Sequence, residues 1–176
     1  ELFLMQAVTG GTYIDATMGN GHDTLFLCEL AGKEGQVLAF DIQKQALEST
    51  RALLKSEGME QKARLILDSH ENMAKYADEA SVDGICFNFG YLPGSDHSLA
   101  TKPESSKNAV IEGLRLLKKG GVMSLCIYSG GETGFEERDT LLAYLKSLDE
   151  KKYLVIVSAY YNRKNNPPIP VLIIKK

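Results

Sequence analysis

A chain of 176 residues with 44% hydrophobic content can bury a core without disulfides or a structural metal, so one domain over 1–176 is expected. Its net charge of −3 and pI of about 5.7 exclude a strongly basic module that holds nucleic acid by phosphate neutralisation alone, yet leave room for RNA on a local basic patch. Three cysteines, Cys28, Cys86 and Cys126, lack Cys-x-x-Cys spacing, which argues against a zinc site or disulfide framework and fits a reducing, cytoplasmic setting.

No apolar run reaches the roughly 20 residues that span a bilayer, and the start lacks a signal-peptide pattern, so no membrane partner is expected. Because the first residue is Glu1, part of the native N-terminus is expected to be missing.

In chain order, β-rich runs at Thr12–Ala16, Gln36–Ile42, Ala63–Leu67, Val82–Phe89 and Val122–Tyr128 read as strands. Helices are expected at His22–Ala31, Lys44–Ser56, Glu71–Asp78, Glu104–Leu117 and Phe135–Leu148, with Gly58, Gly120 and Gly121 at helix ends. This alternation implies a parallel sheet with helices on both faces. Two further runs, Tyr153–Tyr161 and Val171–Ile174, are separated by Asn162–Pro170 with no room for a helix, so they should pair antiparallel. A seven-stranded, mostly parallel α/β sheet closed by such a hairpin is the Rossmann-like architecture of class I methyltransferases.

The first strand runs into Asp15, Met18, Gly19, Asn20, Gly21 and Asp23. Two glycines where a strand becomes a helix let a ligand approach the backbone closely. Dinucleotide-binding folds share that signal, but a pyrophosphate tolerates carboxylates poorly, and position 24, where a third glycine belongs, is threonine. S-adenosylmethionine, with its ammonium and sulfonium, suits Asp15 and Asp23 better. The alternative is that Asp23 only caps the following helix.

Asp41, with Ile42 and Gln43, ends the second strand twenty residues after Gly21, the spacing of a ribose-binding acid. A helix-capping role for Asp41 is compatible with this one. At the third strand's end, Asp68, Ser69 and His70 are candidates for the adenine side, although Asp68 with Glu71 also has capping-box spacing.

The fourth strand exits through Asn88, Phe89, Tyr91, Pro93, Asp96 and His97, where a methyl acceptor would sit. Together with the Asp15–Thr24 segment and the terminal Asn165, Asn166, Pro167 and Pro168, this stretch resembles the YtqB/MnmM family, labelled as rRNA methylases, over nearly the whole chain. The resemblance implies S-adenosylmethionine-dependent N-methylation of the 5-aminomethyl group on wobble 2-thiouridine in tRNA, with S-adenosylhomocysteine as product. It also implies an RNA partner contacted at the anticodon region, and a homodimer. One departure is Gly131, where the family pattern has histidine after Tyr128-Ser129-Gly130.

Transfer to an amine needs no protein nucleophile, so Cys86 and Cys126 are expected to be inert core thiols. It needs a neutral, oriented amine. Asn88 is the expected catalytic residue, orienting the amine through its side-chain oxygen with help from a backbone carbonyl near Phe89, while Asp96 or His97 accepts the proton; Asn88 and Phe89 are also assigned to the cofactor. The alternative for Asn88 is an amide that steadies the strand-to-loop turn. Tyr91 and Pro93 are assigned to the substrate side, and Lys102 to Lys107 with Arg163 and Lys164 to phosphate. Asn165, Asn166 and Pro167 form either a lip over the substrate or only the hairpin turn. Strand alternation turns one of Tyr160 and Tyr161 toward the core.

Overall fold

The computed structural model describes residues 8–90, 102–129 and 134–176. In chain order these form β1 (Thr12–Asp15), α1 (His22–Ala31), β2 (Gln36–Asp41), α2 (Lys44–Ser56), β3 (Ala63–Leu67), a 3-10 turn (His70–Lys75) and β4 (Val82–Phe89). They continue with α3 (Pro103–Leu116), β5 (Leu117–Ile127), α4 (Gly134–Lys146), β6 (Tyr153–Val157) and β7 (Ile169–Lys175). The strands form one seven-stranded sheet in the order β3-β2-β1-β4-β5-β7-β6. Parallel pairing links β3 to β2, β2 to β1, β1 to β4 and β4 to β5, and β7 runs antiparallel to both β5 and β6. The expected fold class and terminal hairpin are both present.

Period-two alternation along β4 sorts its side chains between the two faces. Ile85, Phe87 and Phe89 enter the larger core, which α3 and α4 close through Ala109, Val110, Leu114, Leu141 and Leu145. Cys86 points the other way, toward Leu27 and Cys28 of α1 and Leu54 of α2. In α2 the buried residues Ala46, Thr50 and Leu54 recur every fourth position, the stripe a helix needs to lie on a sheet.

Five expectations change. The helix expected at Glu71–Asp78 is a six-residue 3-10 turn, because Ser69 caps it and Asp68 gathers donors from Asn72 and Tyr76, tightening the chain. β5 begins at Leu117, not Val122; Leu117 pairs with Val82 and Val122 with Gly84, so the intervening residues bulge out. Gly120, with φ +81°, turns that bulge, so Gly120 and Gly121 lie within a strand and end no helix. The run expected through Tyr161 stops at Val157, where the Ser158 N–H donates to the Pro170 carbonyl. Tyr160 and Tyr161 therefore leave the ladder, and neither faces the core: they are 50% and 104% exposed.

The order 3-2-1-4 places the site. From β1 the chain moves outward through β2 and β3, then returns to β4 on the other flank of β1. Connections diverge at the carboxyl ends of β1 and β4, opening the crevice where open α/β sheets bind ligands.

Candidate functional site

The loop after β1 is tied to both neighbouring strands. Ala16 N–H donates to the Cys86 carbonyl and Met18 N–H to the Phe40 carbonyl, both at 2.9 Å. Gly19 and Gly21 take φ values of +50° and +86°, and Gly21 N–H closes on the Met18 carbonyl at 2.7 Å. From α2, the Thr50 hydroxyl donates to the Gly19 carbonyl at 3.2 Å. Of the loop side chains, Asn20 is exposed while Met18 is buried against Ala39 and Ala46, so Met18 offers a ligand its backbone only.

Asp15 anchors this loop from beneath. Fully buried, it accepts from the Thr24 hydroxyl at 2.6 Å and the Thr17 N–H at 3.2 Å, and the Cys86 thiol also bonds to it. Burial pushes its pKa up to about 7 against the Thr24 hydrogen bond. From the ordinary aspartate value of 3.8 up to about 7, the folded chain retains a proton that the unfolded chain has released. This contribution to stability is thus complete at acid pH and lost as pH rises through the folded value. Urea denaturation at about pH 5 and about pH 8 should show the wild type losing stability relative to Asp15→Asn, whereas parallel profiles would sink the assignment.

At the end of β2, Asp41 accepts Gly19 N–H at 3.1 Å on one oxygen and Gln43 N–H at 2.9 Å on the other. Each oxygen keeps a lone pair for a diol. Gln43, not Asp41, is the N-cap residue of α2, and it makes no side-chain cap bond. Beside Asp41, Ile42 is a 58% exposed apolar side chain, suited to the face of a flat ring.

The β3 end is built differently from the expectation. Ser69 Oγ, not Asp68, caps the 3-10 turn through Glu71 N–H. Asp68 accepts from Ser69 N–H, Asn72 Nδ2 and the Tyr76 hydroxyl, and the Asn72 bond leads in holding its pKa below the usual carboxylate range. His70 is half-buried, with its ring edge-on to Phe87 and Phe89 and a hydrogen bond to the Ala16 carbonyl. Burial lowers its pKa, keeping the imidazole neutral.

Across the crevice, the Asn88 N–H donates to the Thr17 hydroxyl and Asn88 Nδ2 to Asp23 Oδ2, both at 2.7 Å. Asp23 thus joins α1 to β4 and is not the cap of α1, whose N-cap is Gly21 with no side-chain bond. Since the amide nitrogen faces a carboxylate, Asn88 Oδ1 is left as the acceptor. A pocket of about 130 Å³ lies below, lined by Asp23, Phe26, Cys86, Asn88, Ser124 and Cys126 among others. The Phe89 ring is fully buried and stacked on Phe87, and its carbonyl takes the Tyr128 N–H at 3.1 Å, leaving one lone pair free. Burial raises the pKa of Cys86 and Cys126 alike, as expected of inert thiols.

Tyr91, Pro93, Asp96, His97 and Gly131 lie outside the described residues. Asn165 and Asn166 sit in the β6–β7 connection, both exposed, with φ of +63° and +50°, and Pro167 follows half-buried. Lys102 is the N-cap residue of α3. Sequence reasoning did not single out Thr17, Thr24, Thr50 or Tyr128 for the site. Each acts through a partner on another element, which no local spacing reveals. Among the described residues, no group of three His, Cys, Asp or Glu could hold a metal, and no helix is long and apolar enough to cross a membrane.

Residues 37–174 match the family described as "Putative rRNA methylase". The chain is 36% identical over 173 residues to the Arabidopsis thaliana "tRNA (mnm(5)s(2)U34)-methyltransferase, chloroplastic", covering 93% of this chain and 62% of that protein. It therefore spans less than two thirds of that relative's length. A Clostridium thermocellum protein described as a putative rRNA-methylase superimposes with a TM-score of 0.96 at 43% identity, over 99% of this chain and 94% of its own. A Streptococcus mutans putative methyltransferase, solved in complex with SAH, gives 0.89 at 37% identity, with 99% and 94% coverage.

Proposed function

Because the chain belongs to the family described as "Putative rRNA methylase", we propose that it is an S-adenosylmethionine-dependent N-methyltransferase acting on RNA. Its substrate in this reading is the 5-aminomethyl group of wobble 2-thiouridine in tRNA. The observation that carries it is Asn88, held by Asp23 at the crossover crevice beside the Gly19–Gly21 loop. The Arabidopsis relative's activity and the SAH bound to the Streptococcus neighbour support the same chemistry.

The residues fit the cofactor. Asp41 offers a lone pair on each oxygen for a ribose diol, Ile42 an apolar face for adenine, and the Asp15-anchored loop its backbone. Ser69 and His70 flank the adenine side, and Asp68 holds the turn that presents them. Asp23 adds negative charge for an ammonium. Bound S-adenosylmethionine supplies a sulfonium methyl, whose transfer to a neutral amine leaves a proton to be removed.

The protein's part is to orient the amine and take up that proton. Asn88 Oδ1 accepts an amine N–H, directing the nitrogen lone pair away from itself, and the free lone pair on the Phe89 carbonyl offers a second acceptor. An apolar surround from Phe26 with Cys86 and Cys126 disfavours the ammonium form. Asp96 or His97 is assigned the proton. Tyr91, Pro93, Asn165, Asn166 and Pro167 are assigned to the RNA side, and a cytoplasmic homodimer completes the reading, checked by light scattering.

Mass spectrometry of tRNA nucleosides from a deletion strain tests the substrate. The expected result is accumulation of 5-aminomethyl-2-thiouridine with loss of its methylated form. An unchanged tRNA profile would overturn this substrate and direct attention to rRNA or small amines. Calorimetry with S-adenosylhomocysteine tests the cofactor separately, and binding of NAD in its place would overturn it.

A further inference from the structure

The β6–β7 connection is not a remote hairpin, because the sheet brings it to the active edge. Ile127 at the end of β5 is level with Phe89 on one side and with Ile169 at the start of β7 on the other. Strands lie about 5 Å apart, so the connection begins roughly 10 Å from the β4 exit that carries Asn88.

Four large side chains at or just beyond this edge hold much of their surface in solvent. Tyr128 is 42% exposed, Val157 53%, Tyr160 50% and Tyr161 104%. Single exposed aromatics are ordinary, but several together beside a reactive crevice mark a binding surface. Tyr128 leaves β5 on the face that carries Cys126 and the pocket, and Gly90 passes it so closely that a Cβ there would lie 3.2 Å from Tyr128 Cβ. The phenols of Tyr128 and Tyr160 are near enough for one to influence the ionisation of the other.

Charge and backbone point to the same occupant. Residues 158–168 contain Arg163 and Lys164 and no Asp or Glu, against a whole-chain charge of −3. Neither cation forms an ion pair with a described residue. Arg163 N–H donates to the Tyr160 carbonyl at 3.2 Å, closing a backbone turn that links Tyr160 to the two cationic residues. Two consecutive left-handed residues, Asn165 and Asn166, followed by Pro167-Pro168, restrict the connection before any ligand arrives. A restricted loop loses less conformational freedom on binding.

We propose that Tyr128, Tyr160 and Tyr161, with Arg163 and Lys164, form a stacking platform for an unpaired base next to the methylated nucleotide, its phosphate held by the two cations. The platform rests on the RNA reading above and adds to it the surface that holds the flanking nucleotide. Aromatic rings accept any base by stacking, and guanidinium and ammonium groups pair with phosphate. A protein partner is the competing occupant. Two cations with no ion pair among the described residues, in the same connection as exposed tyrosines, favour nucleic acid over it.

The chain has no tryptophan, so its intrinsic fluorescence reports tyrosine directly. Titrating the full chain with an anticodon stem-loop carrying 5-aminomethyl-2-thiouridine should quench that emission. Tyr160→Ala with Tyr161→Ala should remove most of the quench and raise KM for the stem-loop about tenfold, toward the lower end of the range expected for losing a stacked base. Tyr160→Phe, which keeps the ring, should stay near wild type, and S-adenosylhomocysteine affinity should hold in every variant. Wild-type binding and turnover with no quench, or an unchanged KM in the double variant, would overturn the platform while leaving the RNA reading intact. Failure of the wild type to bind or methylate the stem-loop would overturn both, and unquenched self-association through this edge would assign it to a second copy of the chain.

Discussion

Asn88→Ala is expected to lower kcat for methyl transfer by about 10²- to 10⁴-fold, the usual range for losing a group that handles the reacting proton or its carrier. The truncation spares the backbone N–H that bonds Thr17, so the loop tether at 2.7 Å survives. S-adenosylhomocysteine affinity should then stay within about threefold, because the Asp41 cradle is untouched. Single-turnover kinetics with calorimetry check the pair. Unchanged turnover would leave Asn88 only its turn-steadying role. Asn88→Asp sharpens the test: it puts a second carboxylate against Asp23, now hydrogen-bonded to the amide at 2.7 Å. Like charges that close raise the pKa of one partner, so any residual activity of that variant should acquire a new pH dependence.

Gly21→Ala should cost about 2–5 kcal/mol of stability and weaken S-adenosylhomocysteine binding more than about tenfold. Two independent penalties add here: a left-handed φ of +86° imposed on an L side chain, and steric overlap. The new Cβ would lie 2.8 Å from Thr50 Oγ1 and 2.9 Å from Thr50 Cα. Part of that obstruction is backbone, so α2 must move away from the loop it braces through the Thr50–Gly19 bond. Urea denaturation and calorimetry measure the two losses. Adding Thr50→Ala removes the hydroxyl and methyl but not Cα, so rescue should be partial; full rescue would show that the side chains alone carry the effect.

The contrast between these two sites explains what the sequence made legible. Gly21 announces itself because a strand run, two glycines and a helical run are contiguous, and α1 and α2 begin and end where the pattern puts them. Asp41 is readable for the same reason, standing at a fixed distance from that loop. Asn88 was visible as a polar residue ending an apolar strand, but its bond to Asp23 spans 65 positions and exists only because β4 pairs with β1. The capping alternatives that local spacing offers for Asp23 and Asp68 do not hold, because Gly21 and Ser69 stand at those positions. Tyr160 and Tyr161 escape the alternation because β6 ends at Val157: Ser158 N–H bonds the Pro170 carbonyl, but Pro170 has no N–H with which to continue the ladder.

The strand order has a consequence for how the chain acquires its shape. A growing polypeptide completes β1, β2 and β3 once Leu67 has emerged, yet the flank of β1 opposite β2 stays unpaired until β4, ending at Phe89, follows. Long-range closures of this kind form late, after their loop entropy has been offset by other contacts. The Asp23–Asn88 bond spans that seam, so the first half can begin to organise the Gly19–Gly21 loop before the Asn88 amide exists beside it. Hydrogen exchange during refolding should find the amides of β1 and β2 protected before those of β4, and a ligand that touches both flanks should slow the opening of the seam more than it slows fraying at β6.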